Sequence, residues 1–79
     1  MRNEIFCLLD ELRRGQEGKL LQLGRTIVPN LSPDDLLQPN DFDELEMSPH
    51  FRYEEGVLHG IQATEAALRF QLRNDPPPA

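Results

Sequence analysis

Four prolines crowd residues 29 to 49 of this chain, at positions 29, 33, 39 and 49, and none recurs before Pro76. Proline lacks an amide hydrogen and clashes with the preceding turn, so a long helix can run only before Pro29 or between Pro49 and Pro76. Both windows carry apolar residues at helical spacing. The chain therefore reads as two long helices joined by a proline-broken connector of about 20 residues.

In the first window Ile5, Leu8, Leu9, Leu12, Leu20, Leu23 and Ile27 recur on one side. Asn3 suits the N-cap, and Glu4 suits the positive end of the helix dipole. Gly15 and Gly18 could divide this helix, but Leu20 and Leu23 resume in phase with Leu12. One continuous helix from Asn3 to Thr26 is expected, ended by Gly24 and then Pro29.

The second window opens on Ser48-Pro49, a hydroxyl cap followed by proline at the first helical position. Glu54 and Glu55 near its start, with Arg69 and Arg73 near its end, match the macrodipole. Tyr53, Val57, Ile61, Leu68 and Leu72 form an apolar stripe, while Leu58 and Phe70 fall off it and are expected to stay partly exposed as a second contact surface. Gly56, Gly60, Ala63 and Ala67 return to one face at alternating steps of four and three. A helical glycine costs roughly 0.5 to 1 kcal/mol relative to alanine, so two on one strip predict that another backbone comes close there. The Gly56-to-Gly60 spacing matches a transmembrane packing motif, but the surrounding charges place it in water.

Within the connector, Ser32 followed by Pro33, Asp34 and Asp35 predicts a short helix through Leu37, stopped by Pro39. Leu31, Leu36, Leu37, Phe42, Leu45 and Met47 are expected to pack onto the long helices as a third layer. The fold class is all-α: an antiparallel two-helix hairpin whose long connector carries one short helix. Two such helices bury little by themselves, which points to a homodimer forming a four-helix bundle. Residues 1–74 make a single small helical domain, and the proline-rich residues 75–79 read as a disordered tail.

The net charge of −6 is uneven. Residues 32 to 55 hold eight acids and one base, a local charge of −7. This disfavours nucleic acid and anionic membranes, both of which are gripped by Lys and Arg. Asp34, Asp35, Asp41, Asp43, Glu44 and Glu46 offer a surface to a cationic protein partner, or a solvated loop that keeps the chain dispersed. They lack the alternation and central glycine of an EF-hand loop. The apolar run Ile5 to Leu9 is too short for a signal peptide, and a single cysteine excludes an intramolecular disulfide, so a cytoplasmic setting is expected.

Candidate chemistry is sparse. His50 with Glu54, and Glu55 with His59, have the i, i+4 spacing of metal ligands, but the two pairs do not share a face and no third ligand follows. Cys7 lacks a CxxC partner and reads as a small core residue. Ser32 and Ser48 have capping roles, and Gly15-Gln16-Glu17-Gly18 fails the form of a phosphate loop. The sequence therefore predicts a non-catalytic protein without a cofactor that binds other proteins, as an adaptor, chaperone or regulatory subunit, with no catalytic residue and no identifiable partner. The alternative is a metal-binding or thiol-dependent protein built on His50, Glu54, Glu55, His59 and Cys7.

Overall fold

A computed structural model describes residues Arg2 to Asn74, and the tail predicted at 75–79 lies outside the described residues. Every regular element among the described residues is helical: α1 (Arg2–Ile27), two 3₁₀ turns (Pro33–Leu37 and Pro39–Asp41), the short α2 (Asp43–Glu46) and α3 (Pro49–Asn74). The all-α class holds. No helix among the described residues is long and apolar enough to cross a membrane.

The helix ends follow from local chemistry. α1 runs unbroken through Gly15 and Gly18, and through Gly24 as well, whose carbonyl accepts from Val28 N at 2.7 Å. The connector begins where Leu31 N bonds back to Val28 O at 3.1 Å. Ser32 then caps the first 3₁₀ turn in both directions: its Oγ accepts from Asp35 N at 3.3 Å, and its own N–H donates to Asp35 Oδ2 at 2.9 Å. This reciprocal box satisfies two amide donors at once, with Pro33 at the first position where no donor is needed. Ser48 Oγ accepts from Phe51 N at 3.2 Å and caps the start of α3 by its hydroxyl alone.

The core sits where the connector crosses the helices. Leu20, Leu31, Leu45, Phe51 and Leu58 are buried, with Leu21, Leu23, Ile27, Val28, Leu36 and Phe42 packed around them. Gly24 lies in the same place: a Cβ there would stand 2.5 Å from Leu31 Cδ2 and 3.4 Å from Phe51 Cε2. Glycine at this point lets the connector lie against α1. Arg25 Nε donates to Leu31 O at 2.9 Å and fixes the crossing from the outside.

Several sequence expectations need correction. Leu58 is a core residue and not part of a second surface, because the interior face of α3 is centred on Glu54, Leu58 and Glu65. Tyr53 and Val57, assigned to the buried stripe, are exposed. The strip of Gly56, Gly60, Ala63 and Ala67 is also exposed, and nothing lies within 4 Å of a Cβ placed on Gly56 or Gly60. At about 100° per residue, that strip lies on roughly the opposite side of α3 from Glu54, Leu58 and Glu65. The close approach that glycine makes possible occurs at Gly24. Leu37 and Met47 point out of the connector, and Cys7 is exposed, not in the core.

Candidate interaction surfaces

Three features of the molecule can be traced to individual side chains: a polar seam between the long helices, a groove beside the connector, and an exposed apolar flank.

The seam is built from carboxylates on α3. Glu54, Glu55 and Glu65 are 5%, 8% and 7% exposed. Gln16 on α1 donates from one nitrogen to Glu54 O at 2.9 Å and to Glu54 Oε2 at 2.8 Å. Lys19 Nζ stands 3.2 Å from the same carboxylate oxygen. The Gln16 hydrogen bond, aided by Lys19, outweighs the effect of burial and holds the Glu54 carboxyl below its usual range. Further along, Arg13 Nε is 3.1 Å from Glu65 Oε1, an ion pair without hydrogen-bond alignment. Arg69 Nη2 reaches the other Glu65 oxygen at 3.6 Å from within α3. Arg13 also binds Glu17 at 2.7 Å and Asp10, so one guanidinium serves three carboxylates. Buried charges need such partners, since removing one leaves the other uncompensated in low dielectric. Glu55 pairs with Arg52 at 3.3 Å, not with His59 as its spacing suggested.

The groove has a volume of about 790 Å³ and lies between α1, α3 and the 3₁₀ turns. Leu21, Leu36 and Leu58 form part of its floor, and Arg14, Glu17, Arg52 and Glu55 bring both signs of charge to its walls. Its size falls within the usual range for small-molecule sites, but its charged groups are already held in ion pairs, Arg52 with Glu55 inside the groove, and Arg14 with Asp10 at 2.9 Å and Glu17 with Arg13 outside it. His59 lines it.

The flank belongs to the first half of α1. Ile5, Leu8 and Leu12 are 40%, 57% and 50% exposed, and their spacing places them on one face. Phe70, near the end of α3, is also exposed. Phe6 lies elsewhere on α1, with the Arg69 guanidinium 5.2 Å from its ring centre.

The remaining candidate residues do not converge. Asp34, Asp41, Asp43, Glu44 and Glu46 are exposed along the connector, while Asp35 is spent in the Ser32 capping box. His50 and His59 are exposed, and among the described residues no three His, Cys, Asp or Glu side chains gather as a ligand set. Sequence reasoning missed Phe51, the largest buried side chain, and the interior placement of the three glutamates. A signal for Phe51 existed in its position three residues after the Ser48 cap, one turn into a helix that had to meet the connector. Comparison of the chain with family models, with curated proteins and with solved structures yields no match.

Proposed function

We propose that this chain is a non-catalytic protein-interaction module that works as a self-associated helical assembly. In this reading α1 and α3 form an antiparallel hairpin, and two hairpins combine into a four-helix bundle. The observation that carries it is an inverted surface: Ile5, Leu8 and Leu12 stand in solvent on a helix whose neighbour buries Glu54, Glu55 and Glu65. A chain that hides carboxylates and displays leucines along one helix face has apolar surface to cover, and a helix partner covers it best. The acidic connector stays outside the bundle and is the part offered to a further, cationic protein partner.

Light scattering over a dilution series tests the assembly. A mass of twice the 9.1 kDa chain at micromolar concentration is expected, falling towards the monomer on dilution. A constant monomer mass across the series refutes the bundle.

A further inference from the structure

We infer that the groove between α1, α3 and the connector is a binding site for a small, uncharged, largely apolar molecule that carries hydrogen-bond acceptors. Such a site goes beyond the self-association proposed above and does not depend on it.

Both long helices and the connector contribute walls. Leu21 of α1, Leu58 of α3 and Leu36 of the first 3₁₀ turn supply an apolar floor, and Pro33 and Pro39 line the connector side. The turns on that side are satisfied within themselves: Asp35 N bonds to Ser32 O at 3.0 Å, Gln38 N to Asp35 O at 3.1 Å and Asp41 N to Gln38 O at 3.1 Å. A wall of this kind offers no row of free amides for an extended peptide to pair with, so side chains must do the recognising. On the α1 wall stands Gly18, where an added Cβ meets nothing within 4 Å. The missing side chain leaves open a groove of about 790 Å³, inside the range of about 300 to 1,000 Å³ that holds drug-sized ligands.

Charge and hydrogen bonding select the ligand. Arg14 and Arg52 are matched on the walls by Glu17 and Glu55, and all four already have ion-pair partners. Together these side chains carry no net charge, so a charged ligand would meet its own sign as often as the opposite one. Hydrogen-bonding capacity is left over. Arg14 and Arg52 each make a single ion-pair contact, which leaves most of the N–H donors of each guanidinium unspent. Asn40, His59 and Gln62 add side chains that have no hydrogen bond or ion pair among the described residues. Unspent donors around a leucine floor fit an apolar body bearing carbonyl or ether oxygens.

Prodan, a naphthyl ketone without formal charge, serves as the probe. Titrated into the native chain, it should give saturable, blue-shifted fluorescence at one dye per chain. Gly18→Phe sets a ring in the groove and should weaken binding at least about tenfold. Gly15→Phe, on the same helix and also in open space but not lining the groove, should leave binding unchanged. The double variant Asn40→Ala, Gln62→Ala alters only exposed side chains and should weaken binding about threefold or more, which decides even if Gly18→Phe fails to fold. The anionic dye anilinonaphthalene sulfonate should bind more weakly than prodan. Prodan that fails to saturate, or that binds Gly18→Phe and the double variant as it binds the native chain, overturns the site. Tighter binding of the sulfonate dye than of prodan, lost in Gly18→Phe, overturns the assignment of an uncharged ligand.

Discussion

The two ends of the helix pair solve the same packing problem differently. At the connector end, Leu20, Leu31, Leu45, Phe51 and Leu58 close a dry core, and Gly24 lets the chain fold tightly over it. At the other end, α1 before Arg13 and α3 beyond Glu65 contribute no buried hydrophobic residue among those described; the seam there runs through Arg13, Glu65 and Arg69, and through Phe6 beneath Arg69. Fully burying a Leu or Phe contributes about 1.5 to 3 kcal/mol, whereas the attraction within a buried ion pair is largely offset by the cost of desolvating both charges. Stability is therefore concentrated where a third layer exists. The paired helices alone do not supply it.

The largest test of this contrast uses two phenylalanines on one helix. Phe51→Ala should destabilise the fold by about 3 to 5 kcal/mol in denaturant unfolding, and Phe70→Ala by less than about 1. Equal losses would erase the distinction between the ends. Glycines sharpen it further. Gly24→Ala must displace the buried Leu31, so a net loss of about 1 to 2 kcal/mol is expected despite the better helix propensity of alanine. If Gly24→Ala stabilised the protein, the tight crossing would be disproved. Ser32→Ala should cost about 1 kcal/mol, read as a lower urea midpoint, because the hydroxyl half of the reciprocal cap is lost while the residue 32 N–H keeps its bond to Asp35 Oδ2. Gly60→Ala meets open space and should raise stability by about 0.5 to 1 kcal/mol, measured as a shifted urea midpoint with unchanged slope.

Acid supplies a smaller effect with a definite sign. The Glu54 carboxyl is held below its unfolded value, chiefly by the Gln16 hydrogen bond. Its contribution is therefore complete above the unfolded carboxylate range and disappears as pH falls through the lower folded value. Stability should decline on acidification, and Gln16→Leu should flatten that decline. An unchanged pH profile in Gln16→Leu would show that the seam does not shift this group.

The two long helices and the Ser32 turn were legible because their signals are local: a hydroxyl, a proline and acids within one turn. The inward face of α3 was not. Two apolar stripes compete on that helix, one through Tyr53 and Val57, the other through Leu58. The choice is made by Gln16 and Lys19 reaching Glu54 and by Arg13 reaching Glu65, contacts that join residues 35 or more positions apart. Glycine was read for its spacing on α3, yet its use at Gly24 depends on where the connector returns, which spacing within one helix does not encode. The apolar side chains of the connector showed the same limit: Leu45 and Met47, two residues apart, have opposite fates, one buried and one in solvent.

The doubled hydrogen bond of Gln16 has a consequence for how the helices find their alignment. Leucine against leucine tolerates a shift of one helical turn, about 5.4 Å, with little change in the area buried. A carboxylate and a main-chain oxygen answered by a single amide do not, since a shifted α3 would carry Glu54 away from Gln16 and Lys19 and Glu65 away from Arg13. The greasy end of the molecule supplies adhesion, and this polar contact acts as its vernier, rejecting slipped pairings that hydrophobic packing alone would accept.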